Sequence, residues 1–93
     1  MNILSQDEKI LINYDNVANL CIVKKYMQYS HPDTWWEIRA MYPVPSNNDD
    51  LLYDIVAQFN NEEKCESVFK EIVHQIGFLR YNLIRVSDIS NRV

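Results

Sequence analysis

Leu51-Leu52-Tyr53-Asp54-Ile55-Val56-Ala57-Gln58-Phe59, followed at once by Asn60-Asn61-Glu62-Glu63, holds the change of period that decides the fold. Leu51, Tyr53, Ile55, Ala57 and Phe59 alternate with Leu52, Asp54, Val56 and Gln58. That is the period of two of a strand, and the first set is expected to face the core. From Cys65 the apolar positions move to Val68, Phe69, Ile72, Val73 and Ile76, the spacing of one buried helical stripe over residues 61–76. Asn60 is the expected N-cap with Glu63 as its capping-box partner, and Glu62 and Glu63 lie where the helix dipole favours anions. Gly77, the only glycine of the chain, is expected to stop the helix in a left-handed conformation, with Phe78 folding back on Val73.

Working towards the N-terminus, Pro43-Val44-Pro45 and the polar run Ser46–Asp50 separate this strand from an earlier one, Thr34 to Tyr42. Val17 to Met27 is rich in β-branched and aromatic residues, and Ser30-His31-Pro32-Asp33 supplies a turn between the two. Pairing Lys25 with Glu37 proposes an antiparallel register, with Tyr26 opposite Trp36 and Ile22 opposite Ala40. The other face then holds Cys21, Val23, Met27, Trp35, Arg39 and Met41. At the start of the chain, Asn2–Ser5 and Lys9–Asn13 fit a small hairpin, and Tyr14-Asp15-Asn16 is turn chemistry.

After Phe78 two patterns compete: Leu79, Tyr81 and Leu83 alternate, whereas Leu83, Val86, Ile89 and Val93 mark a short helix. A helical segment over roughly 82–92 is expected. The whole reads as one α+β domain over residues 1–93: an antiparallel meander of four to five strands (1–59), one main helix across one face (60–77), and a tail (78–93).

Bulk properties exclude several classes. The chain has 93 residues, 47% hydrophobic and 24% charged, with a formal net charge of −4, a mix unlike a disordered segment. No apolar run approaches the roughly 20 residues of a membrane-spanning helix. Acidity is concentrated in residues 43–63, which carry five carboxylates and no cation. Such a balance disfavours nucleic acid, and Arg80, Arg85 and Arg92 are too few and too spaced to reverse it. One glycine excludes phosphate-cradling loops and dinucleotide fingerprints.

Catalytic and metal chemistry find little support. His31, His74, Cys21 and Cys65 are not at metal-ligand spacing. Asp49-Asp50 and Glu62-Glu63 are neighbours whose side chains diverge rather than face one another. Cys65 lies on the helix stripe, where burial leaves a thiol inert, and Cys21 has no histidine near it in the proposed register. The expectation is no catalytic residue, no cofactor, no metal and two free thiols in a reducing cytoplasm.

Ile3-Leu4-Ser5-Gln6-Asp7, then Ile12-Asn13-Tyr14-Asp15-Asn16-Val17, then Phe59-Asn60-Asn61-Glu62-Glu63 before the helix resemble a group of short proteins of Gram-positive bacteria and their mobile elements. The resemblance covers residues 1–77 and implies a small antiparallel sheet with one packed helix in a bacterial cytoplasm. It carries over no functional residue. The segment Ser30–Thr34 and the tail depart from the pattern.

The second sheet face carries the functional expectation. Cys21, Val23, Met27, Trp35, Arg39 and Met41, with Tyr29 near the hairpin tip, combine the residue types that dominate interaction patches. Either the tail covers this face, or a protein partner or second copy does, or two copies pair through strand edges. A non-enzymatic interaction or regulatory module, self-associating or acting on a protein partner, is the leading expectation. The alternative is a small-ligand-binding or enzyme-associated module with a pocket between sheet and tail near Tyr42, Tyr53 and Tyr81.

Overall fold

The computed structural model describes residues 1–26, 33–43, 52–78 and 82–93. These form strands β1 (Asn2–Leu4), β2 (Leu11–Asn13), β3 (Asn19–Tyr26), β4 (Thr34–Met41), β5 (Tyr53–Phe59) and β6 (Leu83–Arg85), with helices α1 (Glu62–Ile76) and α2 (Val86–Arg92). The α+β class is as expected, but the single meander sheet is not. Two three-stranded sheets form, in the orders β2-β1-β6 and β3-β4-β5.

The first sheet is a hairpin with an added parallel strand. Residues Asn2 to Leu4 pair antiparallel with β2 and parallel with β6. Each strand contributes one isoleucine to a single row, Ile12–Ile3–Ile84, and all three are at most 1% exposed. Three residues per strand bury too little alone; the row becomes a core only by joining the rest of the molecule. The hairpin turn is held locally. The Ser5 hydroxyl donates to Asp7 Oδ1 (2.6 Å) and accepts from the Ile10 N–H (3.1 Å), and the Glu8 N–H donates to the Ser5 carbonyl (2.9 Å). Glu8 takes φ 62°, the left-handed region, to close the turn.

The hairpin β3–β4 forms with both strands on the expected faces, but its register is corrected by two residues. Lys24 stands opposite Trp36, Ile22 opposite Ile38 and Val23 opposite Glu37. The proposed Lys25–Glu37 opposition is absent because Glu37 is satisfied along its own strand, by Arg39 and Trp35. Lys24 instead holds its ammonium 5.9 Å from the Trp36 ring centroid. A slip of two leaves every side chain on its original face.

Strand β5 departs further from expectation. Ala57 and Phe59 are buried, but Tyr53 and Ile55 are 41% and 37% exposed, and Val56 is fully buried. The cause is a bulge: Ile38 pairs with Ala57, yet Arg39 pairs with Ile55, leaving Val56 as the extra residue. One extra residue inverts the facing of everything before it. Leu51, placed with the core set from the alternation, lies outside the described residues, as does the loop 46–50.

α1 is capped by Asn61, not Asn60: the Asn61 side chain accepts from the Lys64 N–H at 3.0 Å. Phe59 is still a strand residue, so Asn60 makes the bend and the cap moves one place on. Cys65, Val68 and Ile72 are buried as the stripe requires, whereas Val73 is exposed and Gln75 takes a buried place, donating to Glu71 (3.2 Å). Gly77 is right-handed, at φ −68° and ψ −15°, with no left-handed stop. Phe78 accordingly stacks edge-on against His74 (4.7 Å between centroids) instead of returning to Val73. An alanine Cβ at Gly77 would lie 3.3 Å from the His74 carbonyl oxygen, a tight contact that requires the backbone to give by a few tenths of an ångström. Gly77→Ala is therefore expected to change stability by less than about 1 kcal/mol in urea unfolding, the helical preference of alanine offsetting the tight contact. A left-handed stop would instead lose more than about 1 kcal/mol.

The tail is a strand before it is a helix. Leu83–Arg85 joins β1, which delays α2 to Val86 instead of 82. Ile84, Val86 and Ile89 are at most 1% exposed and share one core cluster with Ile38, Val56, Val68 and Ile72. The two sheets meet at Gln6. Its N–H donates to the Val56 carbonyl (2.8 Å), its side-chain oxygen accepts from the Gln58 N–H (2.9 Å), and its amide donates to Ser90 (3.2 Å). One residue thus occupies part of the β5 edge that a fourth strand would have used.

Candidate functional site

Alternation along β3 and β4 sends Cys21, Val23, Trp35, Arg39 and Met41 to the face of the second sheet opposite the core, where all five are half-buried. Cys21 lies opposite Arg39, Val23 opposite Glu37, and Met41 opposite Tyr53. Met27 and Tyr29 lie outside the described residues. The described part of the tail, residues 82–93, does not cover this face: α1 packs against the core side of the sheet, and α2 packs against α1 and β1.

A four-residue array runs along the middle of the face. Arg39 donates through Nε (2.9 Å) and Nη2 (2.7 Å) to Glu37 Oε1, and Trp35 Nε1 donates to Glu37 Oε2 (2.9 Å). The Tyr53 ring lies over the Arg39 guanidinium at 4.0 Å. Burial pushes the Glu37 carboxyl upward, but the Trp35 and Arg39 donors outweigh it and hold the group below its ordinary 4.5. The pair is nearly dry, with side chains 12% and 7% exposed, and its charges cancel.

Tyr53 and Ile55 join this face only because of the bulge, and residue-by-residue alternation assigned both to the core. The one sequence signal for it is Ile55-Val56-Ala57, three apolar residues in a row within an otherwise alternating strand. Glu37 is the other functional participant whose role the pattern concealed, since it read as an interruption of the apolar strip.

Other chemistry-bearing groups lie away from this array. Cys65 is a buried free thiol, pushed up to about 11 by desolvation and by Glu66 and Glu62. Burial and the bond to Asp54 (2.6 Å) push Tyr42 up to about 12. His74 is exposed on α1, and His31 and Asp49-Asp50 lie outside the described residues. Among the described residues no group of three or more His, Cys, Asp or Glu is arranged to hold a metal ion. No helix among them is long and apolar enough to cross a membrane.

Of the three tyrosines expected around a pocket, Tyr53 lines a groove of about 590 Å³ whose opposite wall is the β1–β2 turn, with Gln6, Asp7 and Ile10. Tyr42 borders it through Asp54, and Tyr81 lies outside the described residues. Compared with protein-family models, curated proteins and solved structures, the chain matches none.

Proposed function

We propose that this protein is a non-enzymatic interaction module that self-associates through the outer face of β3–β4–β5. The observation that supports this most is the Trp35–Glu37–Arg39–Tyr53 array. It brings Trp, Tyr and Arg, the residues most enriched at binding hot spots, to the middle of a half-apolar face. A second copy is the occupant because the central charges already cancel. The middles of two such faces approach without repulsion and leave no ion unpaired there, while Lys25, opposite Trp35, stays exposed. Cys21, Val23, Met41 and Ile55 supply apolar area around the array, and one patch meeting itself is the usual arrangement of a two-fold dimer.

Light scattering on the full chain from about 10 µM to about 1 mM tests this reading, because a modest interface dissociates in that range. A concentration-dependent dimer is expected, shifted towards monomer by Trp35→Ala, while Leu11→Ala on the remote first sheet changes nothing. A strict monomer throughout, or a dimer indifferent to Trp35→Ala, would overturn it.

A further inference from the structure

We propose that the edge of β5 at Tyr53–Ile55, unpaired among the described residues, accepts as an added strand an extended segment of a partner protein that alternates apolar residues with lysine or arginine. The backbone carries the first part of the argument. The Tyr42 N–H donates to the Leu52 carbonyl (3.1 Å), which fixes the phase of the β4–β5 ladder. Antiparallel pairs alternate between bonded and non-bonded, so the N–H and C=O of Tyr53 and Ile55 point away from β4. Beyond the bulge, the Val56 carbonyl and Gln58 N–H point the same way, and both are taken by Gln6. Gln6 therefore behaves as one residue of a further strand, and the positions before it have no partner among the described residues.

Space and charge carry the rest. The groove beside this edge holds about 590 Å³, within the range of about 300–1,000 Å³ common to binding sites. Asp54 lies on the β5 wall and Asp7 on the other. Asp7 is held below the usual carboxylate range by the Ser5 hydroxyl and the Lys9 N–H, so it stays charged. Residues 43–63 contain no cation to answer Asp54, which accepts from the Tyr42 hydroxyl (2.6 Å), and Asp7 has only the weak pull of the exposed Lys9. A second copy would bring the same carboxylates and be repelled, whereas a basic extended segment complements them. In an added strand, side chains beside Tyr53 and Ile55 meet the apolar outer face, and those at alternate positions meet Asp54. Backbone bonds would supply affinity, and the carboxylates the preference for cations.

The test is an amide-resolved NMR titration of the full chain with a blocked hexapeptide alternating valine and lysine. Saturable shifts centred on Tyr53, Ile55 and Gln6 are expected. The same peptide with glutamate for lysine should bind at least several-fold more weakly, and added salt should narrow that difference. Ile55→Pro removes an outward N–H while keeping the β4 ladder, so it should abolish binding with the spectrum otherwise retained. Asp7→Asn with Asp54→Asn, which leaves the backbone untouched, should weaken binding several-fold and keeps the test valid if the proline variant misfolds. No saturable shift at this edge, or equal binding of the glutamate peptide, would overturn the proposal. Tyr53 and Ile55 also belong to the face proposed to dimerise, so the titration is repeated on Trp35→Ala: saturable, lysine-selective shifts in that variant report the edge alone and stand whether or not the outer face self-associates.

Discussion

Ile84→Ala is expected to lower the free energy of unfolding by about 2–5 kcal/mol, a large part of the ~5–15 kcal/mol available to a domain of this size. Ile84 is fully buried in the row Ile12–Ile3–Ile84, and it continues into the core with Val86 and Ile89. Truncation removes its contacts on both sides and leaves β6 held to β1 mainly by a three-residue backbone ladder. The matched control is Ile55→Ala. The residue type is the same and the strand pattern marks it as core, but the side chain is 37% exposed. Less than about 1 kcal/mol is expected there. Urea unfolding of both variants measures the difference. Equal losses would mean that Ile55 faces inward or that the tail is not integral to the fold.

The second large effect belongs to Glu37. Glu37→Leu strands Arg39, 12% exposed, without its carboxylate and removes the acceptor for Trp35 Nε1. A loss of about 2–4 kcal/mol is expected, because the remaining cation keeps its desolvation cost without its partner. Replacing both residues, Glu37→Leu with Arg39→Met, should recover most of it, since the face then has no unpaired charge. The pH dependence follows in sign. The folded carboxyl lies below its ordinary 4.5, so its stabilisation is complete above the unfolded value and is lost as pH falls through the folded one. Urea unfolding from about pH 7 down to about pH 3 should show this acid loss in the native chain and a smaller one in Glu37→Gln. An identical acid profile in the two proteins would show that the pair contributes nothing.

Much of the candidate surface was legible before any coordinates. Cys21, Val23, Trp35, Arg39 and Met41 share a face because strand alternation alone puts them there, and the two-residue error in register did not disturb it. The array was not legible. Its Glu37 bonds along the strand rather than across it, and Tyr53 reaches Arg39 only through the bulge at Val56. Nor was the groove, which needs the β1–β2 turn to lie against β5, residues 6 and 56 being far apart in the chain.

The sequence by itself determined the element types of β1 to β5 and α1, the buried stripe of α1 and the two faces of the β3–β4 hairpin. All three depend on intervals of two, three or four residues, over which backbone geometry fixes side-chain direction. Tertiary structure decided the rest: two sheets instead of one, the parallel β1–β6 pair, the register, the bulge and the handedness of Gly77. The sheet division, the parallel pair and the bulge were settled by groups distant in the chain competing for the same hydrogen bonds and buried volume, whereas the register and Gly77 followed bonds to residues two to four places away that no periodicity marks. Ile84 completes the row at Ile3, and Gln6 occupies the edge of β5, so the N-terminal hairpin cannot extend the β3–β5 sheet and recruits the tail instead.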